Sequence, residues 1–503
     1  FATRVPDPVL QQLEDPTSLD VSVNDAFRPV SRFFDRINRP EQLIPSLLNA
    51  MRVLTDPAET GAVTVAMPQD VQAEVFDWPV EFFRKRVWHV RRPVPEPAAL
   101  ERAVALIKAA KRPLIIAGGG TIYAGASEEL RALATATGIP VGDTQAGKGA
   151  INFDHPSAVG GVGSTGCDSG NHIADKADLI IGVGTRYSDF TTASKTQFKN
   201  PDVKFVNINV TPFDAAKESA EMVVADAREA LTALTEALAD YHVDQAYSDE
   251  ITAEKEAWLK ATERCYHLDH GPLPAQTEVF GALNELMGEE DVVINAAGSM
   301  PGDLQALWQA RSPLQYHVEY AFSCMGYEVP AAMGVKLARP EAEVVSIVGD
   351  GTYQMLPMEL ATVVQENIKV IYVLLQNYGF CSIGALSESR GSQRFGTKYR
   401  QRGEGSHLAD EQVIDGVDIA VNARSWGLDV LEVHTIEEFK EAYRKAEASD
   451  RPTMIHIETD LYGPNPPGSS WWDVPVSGVS ELESTQRAYE EYLRDRKPQR
   501  HYL

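Results

Sequence analysis

Val344-Val345-Ser346-Ile347-Val348-Gly349-Asp350-Gly351, with Asn377 following after residues 352–376, is the stretch on which the reading of this chain turns. The near-continuous apolar run 344–348 reads as a strand buried on both faces, as in parallel sheets. Asp350 stands just past its carboxyl end, between glycines that let backbone approach closely. Pro357 suits the first turn of a helix, where its missing N–H costs nothing. Leu356, Leu360, Val363 and Val364 give that helix an apolar face for the sheet. A second strand over 370–376 then ends at Asn377. In a right-handed βαβ unit both strand ends lie on one edge of the sheet, so Asp350 and Asn377 converge. A carboxylate oxygen, an amide oxygen and a backbone carbonyl make half of an octahedral oxygen site. Mg²⁺ takes such a site when phosphate oxygens and water complete it, and a helix N-terminus there favours a diphosphate. Gly-Asp-Gly alone is mostly a turn; the order and spacing carry the weight.

Working outward, strands are expected over 291–296, 344–348, 370–376 and 453–458. An earlier block shows a helix over 99–110, then strands over 113–117, 179–183 and 205–210. Such alternation predicts doubly wound α/β domains. Gly118-Gly119-Gly120 closes the strand at 113–117, but the full GxGxxG spacing with a later acidic residue is absent. A tight strand-to-helix turn and a dinucleotide site both stay open there. The first block carries a strand over 62–66. Pro93-Val94-Pro95-Glu96-Pro97 reads as a linker; Gly271-Pro272-Leu273-Pro274, after a polar helix over 249–262, is a second joint. The resulting division is 1–92, 98–240, 270–462 and a tail, 463–503, holding Trp471-Trp472-Asp473 and a charged helix. It agrees with the roughly three domains that 503 residues imply.

A net charge of −26 opposes binding to a nucleic-acid backbone. The longest unbroken apolar run, 370–375, falls far short of the roughly 20 residues a membrane span needs. Cys167, Cys265, Cys324 and Cys381 form no CxxC pair, which fits a reducing, cytoplasmic setting without a zinc or disulfide framework. The chain opens Phe1-Ala2-Thr3-Arg4 rather than with Met and shows no signal-peptide pattern; processing or a missing upstream segment is expected.

The Gly-Asp-Gly, helix, strand, Asn order resembles the signature of thiamine-diphosphate (ThDP) enzymes, which normally ends in Asn-Asn; here the pair is Gln376-Asn377. By that resemblance Asp350, Asn377 and the Gly379 carbonyl hold Mg²⁺, while Gly349, Gly351 and Thr352 line the diphosphate. Ser323-Cys324-Met325-Gly326-Tyr327-Glu328-Val329-Pro330 resembles the Gly-Thr-Met-Gly-x-x-x-Pro stretch of the acetolactate synthase and pyruvate oxidase group. There the Met wedges between the two cofactor rings, which implies the same for Met325; the plain alternative is a core methionine. Gly298-Ser299-Met300 looks like the loop that touches the diphosphate. The resemblance covers nearly the whole chain and implies three doubly wound α/β domains with mainly parallel sheets. Residues 1–92 would be the closing part of an incomplete pyrimidine-binding domain, 98–240 the central domain and 270–462 the diphosphate-binding domain. It also implies a homodimer or homotetramer with active sites between subunits.

Residues 182–190, 317–320, 394–400 and 471–475 are similar to the ThDP hydrolases that open cyclic 1,2-diones in myo-inositol catabolism. This implies cleavage between the two carbonyl carbons of a small polyol dione, yielding 5-deoxy-glucuronate. His317, Arg394, Lys398 and Tyr399 are candidates for substrate contact, or solvated loop residues. Trp471 and Trp472 would cover the site or, more simply, pack the tail. Family members carry an activating glutamate early in the pyrimidine-binding domain, and neither Glu14 nor Glu41 matches its position. The chain alone is therefore expected to bind cofactor but not to turn over. Rival readings are an acetolactate-synthase-like carboligase (with FAD in many members), a non-catalytic ThDP-fold protein, and an NAD(P) oxidoreductase resting on Gly118–Gly120.

Overall fold

Apolar runs become strands, and the glycine- and proline-rich stretches become the turns between them. The computed structural model describes residues 23–400 and 416–503; Phe1-Ala2-Thr3-Arg4 and Glu14 lie outside these. The chain divides into two units, Phe1–Val94 and Pro95–Leu503. In the first, β1 (Phe33–Arg36) and β2 (Val63–Ala66) pair in parallel, and the helix Leu43–Leu54 connects them. Glu41 sits exposed in the short turn Pro40–Gln42 of this unit.

The second unit holds two six-stranded parallel sheets. One contains β3 (Pro113–Ala117), β4 (Val141–Asp143), β5 (Ala158–Gly161), β6 (Leu179–Val183), β7 (Lys204–Asn209) and β8 (Glu221–Val224), in the order β5-β4-β3-β6-β7-β8. The other contains β9 (Val292–Asn295), β10 (Tyr316–Val318), β11 (Val344–Gly349), β12 (Ile371–Gln376), β13 (Asp429–Val433) and β14 (Thr453–Glu458), ordered β10-β9-β11-β12-β14-β13. Both are doubly wound, and each has a point where the chain leaves neighbouring strands in opposite directions: β3/β6 in the first, β9/β11 in the second. The carboxyl ends of such strands frame a crevice.

Three local expectations need correcting. Pro97 belongs to no linker: it opens the helix Pro97–Ala109 from the first position, where proline's fixed φ is already helical. The polar helix expected over 249–262 runs Gln245–Tyr266, because the Asp244 side chain caps it from Tyr247 N. The single helix expected after Gly351 is two pieces, Asp350–Tyr353 and Glu359–Gln365, with Pro357 one residue ahead of the N-cap Met358. Leu360 and Val363 are buried as expected, while Leu356 and Val364 are only half-buried.

The helix Gln245–Tyr266 ties the two sheets together. Tyr247 and Ile251 enter the core of the first sheet and Tyr266 that of the second; between them the Trp258 indole N–H donates to Ala306 O at 2.8 Å. Each such fully buried side chain contributes about 1.5–3 kcal/mol. Polar contacts fix the angle: Gln145 donates to Pro301 O at 2.9 Å, and Gln305 to the carbonyls of Asp143 and Val162. Among the described residues no helix is long and apolar enough to cross a membrane.

Candidate functional site

The register Gly349↔Leu375 brings the ends of β11 and β12 level, so Asp350 and the residues after Gln376 meet. Asp350 is buried. Its Oδ1 accepts from Gly351 N at 2.7 Å, and its Oδ2 from the amides of Tyr378 (2.6 Å), Asn377 (3.3 Å) and Gly379 (3.3 Å). Burial pushes its carboxyl up to about 6, and the four amides limit the rise. Among the described residues no Lys or Arg forms an ion pair with it. A desolvated carboxylate held by neutral dipoles retains its charge for a cation.

The backbone after β12 is pinned from outside. Phe380 N donates to Thr397 O at 2.7 Å and Tyr399 N to Tyr378 O at 3.0 Å, with Gly379 bridged to Lys398. A Cβ on Gly379 would lie 2.2 Å from Thr397 O, so only glycine allows this pairing. Asn377 Oδ1 accepts from the Cys381 thiol at 2.8 Å. Asp350, Asn377 and Gly379 thus offer an all-oxygen set of the sort Mg²⁺ shares with phosphate. Among the described residues no group of three or more His, Cys, Asp or Glu side chains could hold a metal.

Across the β9/β11 crevice lies Gly298-Ser299-Met300. Gly298 has φ +91°, and nothing stands within 4 Å of where its Cβ would be. Ser299 exchanges hydrogen bonds with Gln276, which also donates to Asp303. Burial raises the Asp303 carboxyl to about 7. Met300 is buried, its Cε 3.6 Å from the Cβ position of Gly349, so the two crevice loops touch. Gly351 lies beneath the Phe380 ring, 3.0 Å from its Cβ position, and Thr352 is buried. This cradle fits a diphosphate bridged by Mg²⁺: open space, flexible glycine backbone and oxygen donors on one edge.

Met325 is 38% exposed and so is no core residue. Its loop is held by Gly326 (φ +93°), whose Cβ position is only 2.7 Å from Leu356 Cβ. His317 lies on the edge strand β10 with Nε2 2.7 Å from the Tyr327 hydroxyl; burial lowers its pKa. Arg394, Lys398 and Tyr399 gather instead beside Gly379. Arg394 is buried and paired with Glu388 at 2.7 Å, and both it and Lys398 lie over the Tyr462 ring. Tyr399 OH meets Gln354 Nε2 at 2.5 Å. His317 is therefore grouped with Tyr327, two residues beyond Met325, and the other three with the turn at Gly379.

The tail packs. Trp472 Nε1 donates to Asp189 at 2.8 Å and its ring lies 5.0 Å from Phe190; Ser164 donates to Trp471 O. Phe190 also meets Tyr320, whose hydroxyl is 3.0 Å from Ser188. Three of the four distinctive stretches, 182–190, 317–320 and 471–475, thus adjoin. Glu328, Asp303, Gln276 and Tyr327 were not singled out from sequence. The one signal was a glutamate opening a mostly apolar helix, Glu328–Ala338.

Comparison with known proteins gives two family matches: residues 100–234 match "Thiamine pyrophosphate enzyme, central domain", and residues 296–457 match "Thiamine pyrophosphate enzyme, C-terminal TPP binding domain". The chain is similar over its whole length to proteins named 3D-(3,5/4)-trihydroxycyclohexane-1,2-dione hydrolase. It is 45% identical to that of Bacillus cereus and 44% to those of Bacillus anthracis and Bacillus thuringiensis, covering 82% of each.

Proposed function

The chain belongs to the thiamine pyrophosphate enzymes, and from that premise we propose that it hydrolyses a trihydroxycyclohexane-1,2-dione, as its named relatives do. The observation that carries the reading is the oxygen set of Asp350, Asn377 and Gly379 at an open crevice. Asp350, Asn377 and the Gly379 carbonyl would hold Mg²⁺, and Gly298, Ser299, Met300, Gly349, Gly351 and Thr352 would surround the diphosphate. Met325, exposed on its loop, would stand against the cofactor. Bound ThDP supplies an electron sink for the carbonyl carbon that loses its carbon–carbon bond. Hydrolysis adds water across that bond: one former carbonyl carbon leaves as carboxylate, and the other gains the proton. His317, its pKa lowered by burial and its Nε2 bonded to Tyr327, is suited to orient a substrate oxygen and move a proton at Nε2. Arg394 is already committed to Glu388, so Lys398 and Tyr399 are the better partners for substrate hydroxyls on the metal edge. The working form is a homodimer or homotetramer.

The test is incubation of the protein, expressed from its whole reading frame, with ThDP, Mg²⁺ and the dione. Ring-opened acid is expected. Acetolactate from pyruvate, with no acid from the dione, would move the assignment to a carboligase.

A further inference from the structure

Among the described residues Glu328 is the carboxylate that links the two loops assigned above to the cofactor. It opens the helix Glu328–Ala338, three residues beyond Met325, and its side chain is completely buried. Its Oε1 accepts from Ala297 N at 3.2 Å, immediately before Gly298. Its own backbone carbonyl accepts from the Ser346 hydroxyl on β11 at 3.0 Å. The amides of Gly326 and of Glu328 itself also face the carboxyl group. Oε2 nevertheless has no hydrogen-bond partner, and no Lys or Arg pairs with Glu328 among the described residues. A buried polar atom without a partner costs about 1–3 kcal/mol, and packing alone would be served as well by Leu or Met. Burial raises this carboxyl to about 7, with Glu319 adding repulsion.

We propose that Glu328 is a positioning residue that couples the diphosphate loop at Ala297–Gly298 to the loop carrying Met325, so that cofactor binding sets both at once. The inference rests on the ThDP reading above. Ala297 N is the last amide before the turn at Gly298 and Gly326 follows Met325 directly, so one side chain reaches the backbone of both loops. A shorter side chain at this position leaves Ala297 N unpaired and lets the loops move independently.

The experiment titrates ThDP into protein at saturating Mg²⁺ by calorimetry, with a thermal melt of each variant. Glu328→Asp keeps the acid but draws it back from Ala297; Glu328→Ala removes it; Glu328→Gln keeps the reach and an acceptor. Glu328→Asp and Glu328→Ala are expected to raise the ThDP Kd about tenfold or more, as supporting groups around a ligand site do. Glu328→Gln should stay within about threefold. A purely structural role would lower Tm and leave Kd unmoved. Equal ThDP affinity of folded Glu328→Asp and unmodified protein would overturn the inference, and so would a loss in Glu328→Gln as large as in Glu328→Ala. If Glu328→Ala does not fold, the Asp and Gln variants decide. Absence of ThDP binding by the unmodified protein would instead sink the ThDP reading, and the inference with it.

Discussion

Gly298→Ala separates the cost of a strained backbone from the loss of a ligand. At φ +91° an alanine meets the left-handed penalty of about 1–2 kcal/mol. Nothing stands within 4 Å of the new methyl, so no overpacking adds to it. At about 2–4 °C per kcal/mol for a domain of 150–250 residues, Tm should fall by only a few degrees. The methyl does, however, fill the space assigned to the diphosphate. The ThDP Kd should therefore rise by at least about tenfold, or about 1.4 kcal/mol. Gly118→Ala is the control. Its Cβ position lies 2.3 Å from Gly184 O and 2.7 Å from Thr185 Cα, against backbone that cannot yield cheaply. Overpacking of that kind costs about 1–3 kcal/mol or more, so Gly118→Ala should unfold at lower temperature while its folded fraction binds ThDP normally. Calorimetry and a thermal melt on both variants decide. Gly298→Ala binding ThDP as tightly as the unmodified protein would refute the assignment of that crevice.

Asn377→Ala should weaken Mg²⁺-dependent ThDP binding about tenfold or more by calorimetry, with little change in Tm because the residue is only half-buried. Met325→Ala, at an exposed position, should leave Tm within a degree or two and reduce turnover of the dione more than cofactor affinity. Lys148→Met strands Asp143, its buried partner at 3.1 Å, and should cost about 3–5 kcal/mol in urea unfolding; adding Asp143→Asn should recover much of it. Lys255, whose burial lowers its pKa to about 8, gives a pH test. Between pH 8 and the ordinary lysine value near 10.5 the unfolded chain holds the extra proton. Stability of the unmodified protein relative to Lys255→Met should therefore climb with pH across that window, and a flat difference in urea midpoints would count against it.

What was legible in the sequence followed from continuity of apolar character. β3, β6, β11, β12 and β14 are predominantly apolar or β-branched runs and need no tertiary information. β4 (Val-Gly-Asp) and β5 (Ala-Val-Gly-Gly) are fully buried but carry weak β-formers; β4 is a strand because β3 lies beside it, and β5 because β4 does. β10 is three residues long and owes its place to β9. The pairing of Asp350 with Asn377 was readable because one βαβ unit fixes it. Ser299 with Gln276 and Glu328 with Ala297 pair across different units, so no local spacing announces them. The helix after Gly351 broke for a local reason that the sequence did carry: Pro357 cannot supply the N–H that a continuous helix would need there.

The two doubly wound sheets also show why glycine at a strand end is ambiguous until its surroundings are known. At the β3/β6 switch point Gly118 N donates to Val183 O at 2.8 Å and Gly120 N to Gly184 O at 3.0 Å. A Cβ on Gly147 would lie 2.0 Å from Ala117 O. There the missing side chains let backbone pack on backbone, and the amides that a dinucleotide phosphate would need already have partners. This favours the plain turn over the dinucleotide reading of Gly118-Gly119-Gly120. At the β9/β11 switch point Gly298 faces open space, and across from it Asp350 is buried without a cation among the described residues. Of two crevices with the same topological origin, one is filled by its own chain. The other combines open space at Gly298 with a buried carboxylate at Asp350, and the proposed Mg²⁺ and diphosphate site rests on that pairing.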